Sequence, residues 1–269
     1  MQKAAFIFLG TLLVLGLGTL VYQLMRPASG NLALDKDKFY VKAVTYLHED
    51  VADKAIIILP PTGGMNILDR LYGESFFRAG FDVYILTEWT QFDEFALDLD
   101  IHQRHYTRVQ KAIGMLINEV KAPWTGIMGT SVGGLHASIA MSTHDELKAA
   151  VVITGGIRVP EVIVNSDQEA MRFAKKKRYE MYNFKNDDQY LDDLSKAFHL
   201  DPTQLAKKFT GKKLGVVFST KDTTVPYENQ KKLQELWNAK VIDTFDHNHF
   251  YTIVRMGLLG RDEVVGFFK

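Results

Sequence analysis

The sequence of 269 residues contains no cysteine. No disulfide bond can form, and a lipid-modified cysteine is excluded as a membrane anchor. An excess of either charge is also missing, because 32 Lys and Arg residues balance 32 Asp and Glu residues. No basic stretch is interleaved with aromatic residues, which argues against nucleic acid as a partner. The sequence shows no internal repeat and no low-complexity stretch, so its composition is that of an ordinary globular protein.

Charge is missing altogether from one long segment near the N-terminus, residues 4–25, which spans 22 residues. A helix of that length crosses a hydrocarbon layer of about 30 Å. We therefore interpret residues 1–30 as an uncleaved signal anchor, with membrane contact through residues 4–25. The alternative is a secreted chain cleaved near Gly30, but the apolar stretch exceeds the usual signal-peptide length. Lys3 predicts that the following domain lies on the extracytoplasmic side, periplasmic in a bacterium.

Strands and helices alternate along the rest of the chain, residues 31–269, which has the size of one domain. Apolar runs predict the strands, and stretches of helix formers predict the helices. The predicted order is strand 39–47, strand 54–59, helix 66–79, strand 81–87, helix 103–120, strand 148–154, strand 214–220, helix 227–239 and strand 240–245. This alternation predicts an α/β fold with a mostly parallel central sheet flanked by helices.

The most informative motif is Gly129-Thr130-Ser131-Val132-Gly133. It lies between an apolar strand and a run of helix formers, which is the context that a nucleophile elbow requires. A serine on so sharp a turn sits in strained backbone, and glycines on both sides leave room for neighbouring elements. The turn directs the Ser131 hydroxyl out of the sheet, and the N–H of Val132 points into the same space. The N-terminal end of the following helix adds partial positive charge there.

A serine hydroxyl needs a base to become a nucleophile, and the base needs an orienting acid. In hydrolases built on this corner the partners follow in the order serine, acid, histidine. Asp222 follows the predicted strand 214–220, and His249 follows the predicted strand 240–245. Open α/β sheets place their sites at the C-terminal ends of strands, where both residues fall.

These motifs resemble the α/β-hydrolase superfamily over about residues 39–269. The matching residues are Gly129-Thr130-Ser131-Val132-Gly133, Asp222-Thr223-Thr224-Val225-Pro226 and His249-Phe250. The resemblance implies Ser131 as nucleophile, Asp222 as acid and His249 as base. We expect neither a cofactor nor a metal ion.

Three nearby residues compete for these roles. In the superfamily the histidine usually opens the last helix and precedes an apolar residue, which favours His249 over His247, although a small error in the loop boundary would reverse that choice. Asp243 lies inside a strand pattern and Asp246 is almost adjacent to the histidines, so Asp222 has the better position.

The loop after the strand 54–59 should supply the second donor of an oxyanion hole, beside the N–H of Val132. Its sequence is Pro60-Pro61-Thr62-Gly63-Gly64. Prolines have no N–H to donate, so the candidates are Thr62 and Gly63. Many relatives in the superfamily have His-Gly where this chain has Pro60-Pro61, and the choice between the two donors stays open.

The alternation stops in residues 157–213, a polar segment with a helical pattern, where the superfamily inserts a cap over the site. Several of its apolar residues either face an acyl group or pack the segment onto the core, and packing is favoured: Met171, Phe173, Tyr179, Met181, Tyr182 and Phe184. Outside this segment, we interpret His136 as a helix residue with a satisfied ring nitrogen. For His102 and His105, packing or solvent-facing roles are favoured over metal binding.

The sequence predicts hydrolysis of an ester, thioester or amide through an acyl-enzyme on Ser131. The substrate would be a small-molecule or lipid-like acyl compound, and the enzyme a carboxylesterase or lipase, with a peptidase as the open alternative. Acyl transfer to an acceptor other than water uses the same groups. A membrane-tethered binding or scaffold protein that kept the fold without catalysis is the competing hypothesis.

Overall fold

The computed structural model describes residues 26–90, 97–205, 209 and 211–269. The predicted anchor, residues 4–25, lies outside the described residues. In the described part of the chain, no helix is both long enough and apolar enough to cross a membrane.

Eight strands form one sheet. They are β1 Gly30–Lys36, β2 Phe39–Tyr46, β3 Lys54–Leu59, β4 Phe81–Trp89, β5 Trp124–Thr130, β6 Leu147–Ile153, β7 Lys213–Ser219 and β8 Lys240–Phe245. Their order across the sheet is β1-β2-β4-β3-β5-β6-β7-β8. Strand β2 is antiparallel to both β1 and β4, and every other pairing is parallel. The predicted α/β fold with a mostly parallel sheet is confirmed.

The described helices cover both faces of this sheet. They are α1 Ile67–Arg78, α2 Ile101–Glu119, α3 Val132–Thr143, α4 Val159–Asn165, α5 Glu169–Tyr182, α6 Asp187–Ala197, α7 Pro202–Leu205, α8 Tyr227–Trp237, α9 His249–Leu259 and α10 Arg261–Phe268. In β3, Ile57 packs into the core on one face and Ile56 and Ile58 into the core on the other. Strands buried on both faces read as continuous apolar runs, and this is why the central strands were predictable.

Strand β1 was not predicted. It forms a hairpin with β2 through Asp37 and Lys38, both of which have positive φ, 52° and 62°. The usual sequence sign of such a turn is Asn-Gly or Asp-Gly, which is absent here. Gly30 pairs with Thr45, so the sheet begins one residue before the expected domain start at residue 31.

Helices α4–α7 lie between β6 and β7, in the range of the predicted segment 157–213. We call them the β6–β7 helical segment. Their apolar side chains pack with α2 and α3 in a core of their own, which includes Tyr106, Leu135, Val159, Val162, Tyr190 and Leu194. This packing fixes the segment against α2 and α3.

Candidate active site

Ser131 occupies the turn between β5 and α3 in a backbone conformation with φ 56° and ψ −121°. Non-glycine residues rarely adopt this region, and they persist there only when the surrounding structure imposes it. The Ser131 N–H donates to the carbonyl of Ile153 at 2.9 Å, and its own carbonyl accepts from the N–H of Leu135 at 3.1 Å. Bonds to β6 and α3 therefore hold the strained turn in place.

The two flanking positions must be glycine because a side chain would not fit there. A β-carbon at Gly133 would lie 2.1 Å from the carbonyl oxygen of Leu59, and one at Gly129 would lie 2.1 Å from the carbonyl oxygen of Gly133. Both obstacles are backbone atoms, which cannot rotate away. The first turn of α3 can therefore pass the end of β3 only without a side chain at position 133.

A continuous chain of hydrogen bonds joins Ser131, His249 and Asp222. His249 Nε2 lies 2.8 Å from Ser131 Oγ, and His249 Nδ1 lies 2.6 Å from Asp222 Oδ2. A carboxylate only accepts, so the proton between them belongs to Nδ1, which leaves Nε2 to accept the serine proton. His249 is the first residue of α9, and the Asn248 side chain caps that helix by accepting from the N–H of Tyr251 at 3.0 Å.

Four donors surround the Asp222 carboxylate, whose side chain is fully buried. Oδ1 accepts from the N–H groups of Thr224 and Val225, each at 2.9 Å. Oδ2 accepts from Gln230 Nε2 at 2.8 Å as well as from His249. A buried charge is costly unless it is hydrogen-bonded, and these donors meet that requirement.

Gln230 is a site residue that the sequence analysis missed. It is 1% exposed, and its Nε2 also donates to the carbonyl of Val225 at 2.8 Å. Its Oε1 accepts from the N–H of Ser219 at 3.1 Å. A glutamine inside an amphipathic helix looks like any other polar position, so only the fold brings it to Asp222.

The competing residues point elsewhere. His247 is exposed, and its ring lies against that of Tyr251, with 4.0 Å between centroids. Asp246 binds Lys221 Nζ at 2.8 Å and Thr220 Oγ1 at 2.9 Å, while Asp243 is exposed on β8. The structure thus brings Ser131, Asp222 and His249 together and leaves the other three outside.

The loop after β3 borders the same space as Ser131. The N–H of Gly64 donates to the carbonyl of Pro61 at 3.1 Å, closing a tight turn in which Gly63 has φ 96°. Thr62 and Gly63 line one cavity together with Ser131 and Val132. The residues predicted to form an oxyanion hole, Val132 with Thr62 or Gly63, therefore line the same cavity as Ser131.

This cavity has a volume of about 330 Å³, within the range of small-molecule sites. Side chains of β4, α2, α3, α4 and α5 complete its wall, among them Leu86, Trp89, His102, His105, Tyr106, Leu135, His136, Val162, Ile163 and Met171. Of the apolar residues singled out in the β6–β7 helical segment, Met171 lines the cavity. Tyr179 and Phe184 instead pack around Tyr190, and Phe173 is exposed.

Three histidines lie in this wall, and burial keeps each of them neutral at pH 7. It lowers the pKa of His102 to about 3, lowers that of His105, and holds the pKa of His136 well below its usual range. His102 Nε2 accepts from Arg178 Nη1 at 3.2 Å, since a guanidinium only donates. Among the described residues, no three His, Cys, Asp or Glu side chains form a group suited to a metal ion.

For His136 the structure differs from the sequence-based interpretation. Its ring was expected to have a satisfied nitrogen, yet Nδ1 has no hydrogen-bond partner among the described residues. The cause is position, because the His136 ring lines the cavity and lies against the rings of His105 and Tyr106, and neither contact places a hydrogen-bond partner at Nδ1.

No family model matches the sequence, and no curated protein matches it significantly in sequence. Solved structures do match. Est1E from Butyrivibrio proteoclasticus has a TM-score of 0.65 at 16% identity over 89% of this chain and 98% of that one. Acetyl xylan esterase 1 from Thermoanaerobacterium sp. JW/SL YS485 has a TM-score of 0.65 at 12% identity over 90% of this chain and 84% of that one.

An acylaminoacyl peptidase from Pyrococcus horikoshii has a TM-score of 0.67 at 15% identity, over 93% of this chain and 43% of that one. At such identities the likeness concerns the fold. The sheet order, the serine turn between β5 and α3, and the histidine that opens α9 agree with that likeness. The chain has the α/β-hydrolase fold.

Proposed function

We propose that the protein is a serine hydrolase that cleaves an ester, thioester or amide through an acyl-enzyme on Ser131. One observation carries the proposal: the unbroken hydrogen-bond chain from Ser131 Oγ through His249 to the buried Asp222. A serine hydrogen-bonded to an imidazole, itself oriented by a carboxylate, is the arrangement that activates a hydroxyl as a nucleophile.

In the proposed reaction, Ser131 Oγ attacks the substrate carbonyl carbon while its proton passes to His249 Nε2. Asp222 stabilises the imidazolium and holds its tautomer. The N–H of Val132 and that of Thr62 or Gly63 stabilise the oxyanion. His249 then gives its proton to the leaving group, and the C–O, C–S or C–N bond breaks. Water then attacks the acyl carbon while His249 takes its proton, the bond from that carbon to Ser131 Oγ breaks, and His249 returns the proton to Oγ as the carboxylic acid leaves.

Among the three bond types we favour an ester, in a carboxylesterase-like or lipase-like reaction. The similar structures include acetyl xylan esterase 1 and the Pyrococcus furiosus esterase Pf2001, beside one acylaminoacyl peptidase and one thioesterase domain. The β6–β7 helical segment supports a small substrate, because as a cap it would close the cavity to a folded chain: Val162, Ile163 and Met171 all reach the wall. Acyl transfer to a second acceptor would need room beside the acyl group for that acceptor.

Membrane attachment through residues 4–25, with the domain on the extracytoplasmic side, is part of the proposal. The support comes from the sequence, where those 22 residues carry no charge. Exposed apolar side chains on α1 and α9 are consistent with it: Ile67 is 57% exposed, Phe250 74% and Leu259 72%.

A fluorophosphonate probe tests the central claim, because it labels only an activated serine. We expect the wild type to be labelled and to hydrolyse p-nitrophenyl esters. Ser131→Ala should lose the label and at least about 10³-fold in kcat while its circular dichroism spectrum is unchanged. Ser195→Ala, on α6 outside the cavity, is the matched control and should keep both. Activity of Ser131→Ala within tenfold of wild type would remove this serine from the mechanism.

A further inference from the structure

The loop that follows Asp222 is held from outside by a second carboxylate, that of Asp167. The hydroxyl of Thr224 donates to Asp167 Oδ1 at 2.9 Å, and the hydroxyl of Thr223 donates to Asp167 Oδ2 at 2.5 Å. The N–H of Asp167 donates in turn to the carbonyl of Thr223 at 3.0 Å. Three hydrogen bonds therefore join one residue to two consecutive residues of the loop, which restrains the rotation of the loop as well as its position.

Asp167 belongs to the β6–β7 helical segment and lies in the short connection between α4 and α5. Its two neighbours in sequence, Ser166 and Gln168, line the cavity that contains Ser131. The bonds made by Asp167 therefore join one wall of the cavity to the loop that carries Asp222.

Thr224 makes the connection, because it bonds on both sides. Its N–H donates to Asp222 Oδ1 at 2.9 Å, while its hydroxyl donates to Asp167. The hydrogen-bond chain that runs from Ser131 through His249 to Asp222 thus continues through Thr224 to Asp167. A shift of this loop would withdraw the N–H from Oδ1 and let the carboxylate turn away from His249. Misplacement of reacting groups by about 1 Å can lower a rate about 10²-fold.

The charge of Asp167 strengthens this connection. The hydroxyl of Thr223, with smaller contributions from the hydroxyl of Thr224 and from Arg172, holds the pKa of Asp167 below its usual value. The side chain is therefore a carboxylate at pH 7, and both hydroxyls must donate to it. Hydrogen bonds to a charged acceptor are stronger than those between neutral groups, which matters here because Asp167 and Thr223 are exposed to solvent.

We propose that Asp167 is a positioning residue for the hydrolytic reaction, because it holds Thr223 and Thr224 in the conformation that directs Asp222 at His249. The inference rests on the proposed function, since it adds a residue to the same site. It gives the β6–β7 helical segment a part in catalysis besides forming the cavity wall. Asp167 acts through the loop and, among the described residues, is not one that lines the cavity, so its loss should lower kcat rather than raise KM.

Steady-state kinetics of the full chain with a p-nitrophenyl ester test this role. Asp167→Ala removes both side-chain bonds to the loop, so kcat should fall about fivefold to twentyfold with KM within about twofold of wild type. Asp167→Asn should stay within about threefold, because its amide can accept from one threonine hydroxyl and donate to the other. A change confined to KM, or equal losses of kcat in the two variants, would overturn the proposal.

The matched control is Asp187→Ala. Asp187 is an exposed carboxylate of the same helical segment and binds Lys175 Nζ at 2.7 Å, away from the loop of Asp222. Its removal should leave kcat unchanged. A loss as large as that of Asp167→Ala would show that kcat responds to the stability of the segment, not to the bonds of Asp167.

Thr223→Val tests whether the effect passes through the loop. Added to Asp167→Ala, it should lower kcat no further, because Asp167→Ala has already removed the bond that Thr223 makes. Losses that multiply would mean that the two residues act independently, which contradicts the proposal. Thermal melting checks that each variant is folded. Should Asp167→Ala not fold, Thr223→Val alone is read in the same way, in kcat and KM.

A proton resonance separates failure of this inference from failure of the proposed function. The proton between His249 Nδ1 and Asp222 lies in a bond of 2.6 Å and resonates downfield of the amide protons, and its loss in Asp222→Ala assigns it. Asp167→Ala should shift or broaden this resonance, and Asp187→Ala should not. An unchanged resonance in Asp167→Ala would overturn the positioning role. If the resonance responds as expected but the wild type neither hydrolyses an ester nor reacts with a fluorophosphonate, the proposed function alone is contradicted.

Discussion

At the scale of single residues, the position of one proton depends on the buried carboxylate of Asp222. Because Asp222 accepts from Nδ1 of His249, the imidazole presents its unprotonated Nε2 to Ser131 at 2.8 Å. Thr224 and Val225 hold the other carboxylate oxygen, which prevents the carboxylate from rotating away. The orientation of the His249 ring thus depends on the hydrogen bonds that hold Asp222, two steps along the hydrogen-bond chain from Ser131.

Substitution of the two neighbouring histidines should have very different effects. His249→Ala removes the base and should lower kcat by about 10³-fold or more. His247→Ala should stay within about threefold, because the His247 ring lies against Tyr251 on the surface. Both are measured with a p-nitrophenyl ester under saturating conditions. The opposite pattern would exchange the roles of these two residues.

Gln230 is expected to position Asp222. Gln230→Leu keeps a similar volume but removes one of the four donors to the carboxylate. A hydrogen bond to a charged group is worth about 1.5–3 kcal/mol, so kcat should fall about tenfold to a hundredfold with KM nearly unchanged. Gln234→Leu, one turn further along α8, is the control, since the Gln234 side chain donates to the carbonyl of Ala239 rather than to Asp222. A loss confined to KM would assign Gln230 to substrate binding instead.

At the scale of elements, the central strands were predictable from the sequence, and the edge strand β1 was not. Strand β3 matches its predicted range because a strand buried on both faces needs an unbroken apolar run. Strand β1 lacks that pattern because most of it is exposed and its turn uses Asp37 and Lys38. The serine turn was predictable from its glycines. Gln230 was not, because its role depends on contacts that only the folded chain creates.

The junction of β3, β5 and α3 should tolerate no side chain at Gly133. Gly133→Ala places a β-carbon against the Leu59 carbonyl and should lower the free energy of unfolding by about 3 kcal/mol or more, a fall in Tm of roughly 6–12 °C. Gly266→Ala is the matched control. A β-carbon there meets no atom within 4 Å, and alanine is the better helix former, so Tm should stay constant or rise slightly. Equal Tm values for both variants would show that α3 can move away from β3.

At the scale of the whole molecule, the domain and the proposed anchor meet at Arg26. Its guanidinium forms an ion pair with Glu74, a buried residue of α1. We expect the full chain in the membrane fraction and a variant of residues 26–269 in the soluble fraction, with equal kcat. A mature chain that begins near Asn31 would instead indicate a cleaved signal. A full-length chain in the soluble fraction would contradict both the anchor and the cleaved signal.

A shorter variant, residues 31–269, provides the comparison for that experiment. It loses Arg26 and the Gly30–Thr45 pairing, and Glu74 keeps Arg78 at 3.6 Å. Removing one partner of a buried ion is destabilising, so the free energy of unfolding should be lower than that of residues 26–269 by about 1–3 kcal/mol. Equal stabilities would place the start of the domain at residue 31.

The separation of the site residues along the chain has a consequence for the order of folding. Asp222 binds Thr224, Val225 and Gln230, all within eight residues, so its carboxylate is enclosed by contacts that close short loops. Ser131 and His249 are 118 residues apart, and their contact requires β5, β6, β7 and β8 in register. Long loops close late because their entropy cost comes before any compensating contact. The proposed hydrolytic activity would therefore report the completed sheet, whereas the surroundings of Asp222 can form before His249 reaches it.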